Sequence, residues 1–208
     1  GEKKKLFDFF KNLKPLLYKE CEEISSNMTK RGGGIIDIEL IDKTTDIPNY
    51  YQLNATFDTV DSMGANFINS SLEQFAKTLI KESNLNSTFS KKEKNIEVIM
   101  SILSNYVPEC LVRAEVSCSI EELSEDKEFN GNKFAQKFLQ AIQIAKTQTV
   151  RAVTHNKGIM NGVDSVVIAT GNDFRAVEAG VHAYASKNGS YTSLSDVNIN
   201  NDVFTFSI

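Results

Sequence analysis

One stretch of the chain, residues 153–185, concentrates residue types that can move protons. It contains one lysine, Lys157, and further along an aspartate, Asp173, behind the run Thr-Gly-Asn. A lysine held in a closed site can donate a proton or stabilise a developing oxyanion. Residues that favour tight turns surround Lys157, which suggests a backbone folded tightly around a ligand or a reacting group. The ordinary alternatives are a surface lysine at Lys157 and a helix N-cap at Asp173.

A second cluster, residues 61–66 (DSMGAN), lies at the start of a predicted helix. The unpaired N–H groups of a helix N-terminus attract the pyrophosphate of a dinucleotide, and Gly64 lets the backbone approach it closely. The cluster lacks the G-x-G-x-x-G fingerprint of a Rossmann fold. Taken alone, it is compatible with a dinucleotide site or with an ordinary capped helix.

The composition excludes several functional classes. A net charge of -4 leaves no basic footprint for nucleic acid. No apolar stretch reaches the roughly 18 residues that a membrane helix requires, so we expect no membrane partner. Three cysteines, an odd number without metal-type spacing, favour a reducing cytoplasm. His155 and His182 are too isolated to predict a metal site.

Apolar residues at intervals of three and four predict amphipathic helices around these clusters. The first helix spans residues 2–28, and Pro15 should kink it or divide it in two. The second covers residues 63–79, with Asp61 or Ser62 as its N-cap. A third helix follows an acidic loop and precedes the Lys157 stretch.

Alternation with a period of two predicts strands. Ile36, Ile38 and Leu40 face one way, whereas Asp37 and Glu39 face the other. A turn through the Pro-Asn pair that follows would join this strand to the next as a hairpin. Further strands are predicted at residues 96–103, 112–120 and 202–208.

Strands and helices are interspersed without a strict βαβα rhythm, which predicts an α+β fold. We expect a boundary between two lobes near residues 105–108. The chain stops inside the alternating pattern of its last strand, which favours a piece of a longer protein. Residues 203–208 should then form an exposed sheet edge that promotes self-association or disorder.

Two motifs resemble those of a known enzyme family. The run THNKGIMNGVDSVVIATGNDFRAVEAGVHAYA, residues 154–185, is similar to the signature of 3-hydroxy-3-methylglutaryl-coenzyme A (HMG-CoA) reductase, above all its bacterial class II form. The DSMGAN cluster resembles the family's DAMGAN nucleotide motif, and the similarity extends in patches from about Gly32 onwards. It implies a ferredoxin-like, antiparallel-sheet NAD(P)-binding domain at residues 1–108 and part of the HMG-CoA-binding domain at residues 109–208.

The resemblance also implies roles for individual residues. Lys157 would stabilise and protonate the oxygen of the carbonyl that is reduced, and Asp173 would hydrogen-bond this lysine. Arg151 would bind the substrate carboxylate with its forked donors, beside Asn161 and Asn105 of the substrate pocket. The residues implied to line the nicotinamide dinucleotide site are Asp61, Met63, Gly64, Ala65, Asn66 and Asn69.

Asp37 lies where the class II family can carry an acid near the adenosine ribose. A carboxylate there accepts a hydrogen bond from a free 2′-hydroxyl and repels a 2′-phosphate, so Asp37 favours NADH over NADPH as the cofactor. The ordinary alternative is an exposed strand residue, because Glu39 shares its face.

The implied reaction converts HMG-CoA to mevalonate and free coenzyme A (CoA) by two successive hydride transfers, a step of isoprenoid biosynthesis. The implied assembly is a homodimer or higher homo-oligomer with its active site between subunits. The family's catalytic glutamate and histidine have no counterpart here, since His155 and His182 occupy other positions. We therefore expect the chain alone to be inactive. The alternative function is a non-catalytic nucleotide-binding or assembly module.

Overall fold

The computed structural model describes residues 3–126, 128 and 130–208. Its contacts divide the chain into two compact units, Gly1–Leu103 and Ser104–Ile208. The first unit contains α1 (Lys3–Glu20), α2 (Glu22–Lys30), β1 (Gly34–Asp42), β2 (Tyr51–Asp58) and α3 (Ala65–Leu85). The second contains β3 (Glu115–Ser119), the 3₁₀ helix η1 (Ile120–Leu123), α4 (Gly131–Thr147), α5 (Thr149–Ala169), α6 (Phe174–Ala185), β4 (Asp196–Asn200) and β5 (Val203–Ser207). The predicted α+β class is confirmed.

The first unit buries an apolar core between a β-hairpin and helices. β1 and β2 pair in antiparallel fashion, with Gly34 opposite Asp58, so the predicted hairpin is confirmed. The largest fully buried side chains are Leu17 of α1, Ile38 of β1 and Phe75 of α3. Each comes from a different element, and removing such a side chain from a packed core typically costs about 2–5 kcal/mol.

The structure contains a β-bulge at Ile36, so the residues of β1 that face the core differ from those predicted by strict alternation. The pairing register shifts between Ile35 and Asp37, and Ile36 is 59% exposed. Ile35 packs against the core that contains Ile38 instead. The extra residue of a bulge reverses the alternation locally, which a strict period of two does not anticipate.

The first predicted helix is divided, but not at its proline. Pro15 lies inside α1, and the break falls at Cys21. Cys21 is fully buried, and its thiol lies 3.8 Å from the carbonyl oxygen of Ser71 in α3. Burial raises the pKa of the Cys21 thiol to about 11, so this side chain stays neutral. The break therefore coincides with packing against α3 rather than with the proline.

The strand predicted at residues 96–103 is wrong. This segment pairs with no strand among the described residues, and Ile99, Met100 and Ile102 are 72%, 73% and 66% exposed. The Leu103 N–H donates a hydrogen bond to Asn69 Oδ1 of α3 (3.0 Å). Alternating apolar residues form a strand only where a neighbouring strand satisfies their backbone groups.

The second unit is built on a three-stranded antiparallel sheet in the order β3-β5-β4. Phe204 of β5 lies opposite Cys118 on one side and Ile199 on the other. The exposed edge predicted at residues 203–208 is therefore wrong, because this strand is the centre of the sheet. Phe204 is buried in one core with Ile142 of α4.

The strand predicted at residues 112–120 is Glu115–Ser119 in the structure, so it starts three residues later and ends one residue earlier than predicted. The backbone N–H and the hydroxyl of Ser119 bond Glu122 Oε2 at 2.9 and 3.0 Å, in a capping box that starts η1. A capping box satisfies backbone donors that a strand would otherwise pair across the sheet. The alternating pattern therefore continues past the point where the strand ends.

The ferredoxin-like topology of the first unit and the functions assigned to the two domains remain predictions. The sheet of the first unit has two strands, fewer than the four of a ferredoxin-like domain. The assignment of residues 1–108 and 109–208 to cofactor and substrate domains is also a prediction. Along the chain, the boundary between the two units falls between Leu103 and Ser104. Among the described residues, every helix is too short or too polar to cross a membrane.

Candidate active site

Lys157 lies within α5, so the backbone around it is helical and not folded into the tight turns that its neighbours favour. The run HNKGIMNG is helical throughout. Among the described residues, nothing apart from the neighbouring backbone of α5 comes within 4 Å of the Cβ positions of Gly158 and Gly162, so neither glycine is required by packing. A glycine in a helix interior costs about 1 kcal/mol, and the rest of α5 overrides that preference. Lys157 is exposed, and its ammonium has no hydrogen-bond or ion-pair partner within the described residues.

The exposed face of α5 carries Lys157 and Asn161 one helical turn apart. Asp164 follows on the same side, and its Oδ1 is buried without a hydrogen-bond partner among the described residues. A buried oxygen without a donor is costly, so a donor that reached this face would be stabilised there. Val153 and Ile168, which are 51% and 58% exposed, flank these polar groups. Sequence reasoning missed Asp164, because its spacing from Lys157 is informative only on a helix.

The other predicted substrate-binding residues lie elsewhere in the second unit. Arg151 is on α5, but it lies about 120° around the helix axis from Lys157, and its side chain is exposed. Asn105 packs its backbone against α6, where a Cβ added to Gly180 would lie 2.9 Å from its carbonyl oxygen. The structure therefore groups Lys157 with Asn161 and leaves Arg151 on a different face.

Asp173 is the N-cap of α6. Its Oδ1 accepts hydrogen bonds from the backbone N–H groups of Arg175 (3.1 Å) and Ala176 (3.3 Å). The bond from Ala176, together with the charge of Arg175 at 3.4 Å, lowers the pKa of Asp173. The structure contains the N-cap that was the ordinary alternative. It does not contain the contact between Asp173 and Lys157 that the resemblance implies.

In the first unit, residues 61–66 form the turn that starts α3. Gly64 is the N-cap, with a left-handed φ of 71°, and no side chain caps the helix. The predicted cap by Asp61 or Ser62 is therefore wrong, and the Ser62 hydroxyl donates to the Thr59 carbonyl instead (2.8 Å). A Cβ at Gly64 would overlap the Thr59 side chain. The free N–H groups of the first helical turn point to an anion site.

A cation beside this turn was missed by the sequence analysis. Arg31, the C-cap of α2, donates from Nη2 to the Ser62 hydroxyl at 3.0 Å. Asp61, Met63 and Asn66 are exposed in the same turn. Asn69 has a structural contact, since its Oδ1 accepts the Leu103 N–H. The pairing of Arg31 with Ser62 arises from the packed unit, and no local motif indicates it.

Asp37 pairs with a lysine that the sequence analysis did not consider. Lys14 Nζ of α1 lies 2.6 Å from Asp37 Oδ1. The hydrogen bond from Lys14 lowers the pKa of Asp37, and the same bond raises the pKa of Lys14. Nearby, the Tyr18 hydroxyl donates to the Ile36 carbonyl at 3.4 Å. The carboxylate is therefore ionised, and a neighbouring positive charge partly compensates it.

The chain belongs to the hydroxymethylglutaryl-coenzyme A reductase family, whose sequence model matches residues 6–208. It is 37% identical over 174 residues to a probable 3-hydroxy-3-methylglutaryl-coenzyme A reductase of Borreliella burgdorferi, covering 84% of this chain and 37% of that protein. It is 33% identical over 170 residues to the reductase of Archaeoglobus fulgidus, covering 82% of this chain and 34% of the relative. The chain thus spans about a third of the length of these curated relatives.

Solved structures of the family share the fold. A 3-hydroxy-3-methylglutaryl-coenzyme A reductase of Streptococcus pneumoniae matches with a TM-score of 0.75 and 35% identity, over 94% of this chain and 50% of that one. A structure of the class II enzyme from the same organism, bound to NADPH in open conformations, matches with a TM-score of 0.77 and 34% identity. That match covers 97% of this chain and 52% of the other.

Proposed function

We propose that this chain supplies the cofactor-binding region and part of the substrate-binding region of an HMG-CoA reductase. The enzyme would be an NAD(P)H-dependent oxidoreductase of isoprenoid biosynthesis that converts HMG-CoA to mevalonate and CoA. One observation carries the proposal beyond family membership. Lys157 and Asn161 share the exposed face of α5, and their side chains have no partners within the described residues. Such groups can meet a substrate without first breaking internal contacts.

The chemistry assigned to this face follows from the charge that develops during reduction. Each hydride transfer places negative charge on a carbonyl oxygen, and the Lys157 ammonium would stabilise that charge and then donate a proton. Asn161, one turn along α5, would hold the substrate, with Asn105 as a further polar group. Arg151 would pair with the carboxylate of the 3-hydroxy-3-methylglutaryl group. Asp173 would fix the charged form of Lys157 once the whole reductase brings the two together.

The first unit fits a dinucleotide cofactor. The free N–H groups at the start of α3 and the Arg31 guanidinium both favour a pyrophosphate. Bound NAD(P)H would supply the hydride for each reduction. Asp37 favours NADH through the ribose 2′-hydroxyl, and Lys14 beside it lowers the penalty for the 2′-phosphate of NADPH.

The proposed partners are small molecules and further copies of the same protein. HMG-CoA, mevalonate and CoA would bind at the α5 face. The family's homodimer, or a higher homo-oligomer, would cover the exposed Val153 and Ile168 that flank it. Three free cysteines favour a cytoplasmic location. The catalytic glutamate and histidine would come from the rest of the reductase.

The test of this function is Lys157→Ala in the complete reductase. We expect kcat to fall by at least about 100-fold, because one positioned proton donor is worth that much. Cofactor affinity should stay within a few-fold, since the cofactor residues lie in the other unit. Lys187→Ala is the matched control, because Lys187 packs over the Tyr184 ring (3.6 Å) and has no proposed role in catalysis.

The result separates the enzyme from a non-catalytic module. Retention of more than about a tenth of wild-type kcat by Lys157→Ala would remove the lysine from the mechanism. A wild-type protein that binds NAD(P)H but never consumes it with HMG-CoA would favour the nucleotide-binding module instead.

A further inference from the structure

Asn156, the residue before Lys157, is a fully buried polar side chain of α5 with both ends of its amide bonded. Its Nδ2 donates to the Thr192 carbonyl oxygen at 2.9 Å, and its Oδ1 accepts the Leu194 N–H at 3.0 Å. A side-chain amide that meets a backbone donor and a backbone acceptor at once is held in a single orientation. Asn156 therefore connects α5 to residues 191–195, which we term the junction segment.

The junction segment is itself anchored to two other helices. The Thr192 N–H donates to the Ala185 carbonyl at the end of α6 (3.0 Å). The Thr192 hydroxyl donates to the Lys146 carbonyl in the last turn of α4 (2.9 Å). Asn156 thus ties α5 to a support that the ends of α4 and α6 hold in place.

A second contact ties α5 to the same support one residue earlier. His155 Nε2 lies 2.6 Å from the Ser195 hydroxyl, and Ser195 is only 2% exposed. The Ser195 N–H in turn donates to the Ser193 hydroxyl at 3.1 Å. Consecutive residues of α5 are therefore bonded to the junction segment immediately before Lys157.

Apolar packing does little to fix α5 at this point. Its buried residues, among those described, are Ala152, Asn156 and Met160. Alanine offers one methyl group, and methionine is flexible enough to follow a rotating helix. Gly158 and Gly162 have nothing within 4 Å of their Cβ positions. The polar contacts of Asn156, together with those of His155 and Thr149 to the same segment, thus restrain the rotation of α5 around its axis.

We propose that Asn156 is a positioning residue for Lys157, which it holds at a fixed rotation of α5 by bonding the junction segment. The proposal rests on the proposed reductase function, because it assigns Lys157 to the reaction. A misplacement of about 1 Å can cost up to about 100-fold in rate, so a loosened helix should lower turnover strongly. Asn161 and Arg151 lie on the same helix, so substrate affinity should fall as well, whereas cofactor affinity should change much less because the proposed cofactor residues lie in the other unit.

The test is Asn156→Ala in the complete reductase, compared with Asn130→Ala. Asn130 caps α4 by accepting the Lys133 N–H (3.1 Å), so the control removes the same side chain from the same unit without touching the junction segment. We expect Asn156→Ala to lower kcat by at least about tenfold, with KM for NAD(P)H within about threefold. Hydrogen exchange at residues 192–196 should accelerate, because the Leu194 amide loses its acceptor. Asn130→Ala should change neither kcat nor the hydrogen exchange of residues 192–196.

Two outcomes would overturn the proposal. The first is faster exchange at residues 192–196 with kcat still within about twofold of wild type, since a lost restraint would then not matter to the rate. The second is an equal loss of kcat in Asn130→Ala at matched free energies of unfolding, which would indicate general destabilisation. If Lys157→Ala retained turnover, the proposed function itself would fail, and that result is read independently of Asn156.

Asn156→Asp keeps the question answerable if the alanine variant does not fold. An ionised aspartate accepts the Leu194 N–H but repels the Thr192 carbonyl, whereas a protonated one can bond both. Its kcat relative to wild type should therefore recover as pH falls from 8 to 6, with KM for NAD(P)H unchanged. A relative kcat that stays flat over this range would contradict the positioning role.

Discussion

In the cofactor site that we propose on the first unit, Asp37 and Lys14 would set the charge near the adenosine ribose. Their ammonium–carboxylate contact of 2.6 Å means that neither charge acts alone. The carboxylate can accept a hydrogen bond from a 2′-hydroxyl, while the ammonium can attract a 2′-phosphate. Cofactor preference should therefore respond in opposite directions to the two substitutions.

Asp37→Asn should raise the ratio of kcat/KM for NADPH over NADH, and Lys14→Met should lower it. We expect changes of roughly fivefold, the scale of one solvent-exposed charge interaction, and smaller at high salt. Glu39→Gln is the matched control, because Glu39 is an exposed acid on the same strand face. Ratios that respond equally to Asp37→Asn and Glu39→Gln would reduce Asp37 to an ordinary strand residue.

The pH dependence of stability should report on His155. Burial lowers the pKa of His155 below its ordinary value of 6.5 in the folded protein. As pH falls through 6.5, the unfolded chain binds a proton at His155 more readily than the folded chain does. The free energy of unfolding should therefore fall as pH drops from about 7 to 5. Urea unfolding of wild type and His155→Gln checks this, with His182→Gln as the control. A decline that is just as steep in His155→Gln would assign the effect to other groups.

At the scale of the elements, two glycines should respond to alanine in opposite ways. Gly64 has a φ of 71° and its Cβ position collides with Thr59, so Gly64→Ala should lower the free energy of unfolding by about 1–3 kcal/mol. Gly158 lies inside α5 with open space around it, so Gly158→Ala should raise that free energy by about 0.5–1 kcal/mol. Equilibrium unfolding measures both, and the same sign for the two variants would contradict the local geometry.

The elements that the sequence predicted well depend on local patterns. The β1–β2 hairpin and α3 follow from alternation and from the spacing of apolar residues on one helix face. The turn preferences of Asn and Gly around Lys157 misled the prediction, because the surrounding helix outweighs them. Residues 96–103 were wrongly predicted as a strand, and β5 was wrongly predicted as a sheet edge, because strand pairing depends on segments distant in the sequence.

The candidate site shows the same division between local and distant information. The resemblance gave Lys157, Asn161 and Asp173 as candidate site residues, and the N-cap at Asp173 was foreseen, but the helix that contains Lys157 and Asn161 was not. Lys14, Arg31 and Asn156 were missed because their contacts join segments far apart in the chain. No periodicity or spacing rule encodes such contacts, so only the folded structure reveals them.

At the scale of the whole molecule, the 208-residue chain should bind cofactor weakly and turn nothing over. The residues proposed for the dinucleotide lie in one unit, and the resemblance implies that the family's catalytic glutamate and histidine have no counterpart in this chain. Catalytic groups that act as a unit fail together when one is removed. Titration with NADH and NADPH, followed by an assay with HMG-CoA, measures both properties. Clear turnover by this chain would show that other residues replace the missing groups.

The measurement that tests the central claim most directly is the stoichiometry of the complete reductase. Purified protein should oxidise NAD(P)H only when HMG-CoA is present, and should release mevalonate and CoA. Two hydride transfers require two molecules of NAD(P)H for each mevalonate formed, and Lys157→Ala should abolish their consumption. Cofactor that binds but is not oxidised in the presence of HMG-CoA would contradict the assignment of this chain to a working reductase.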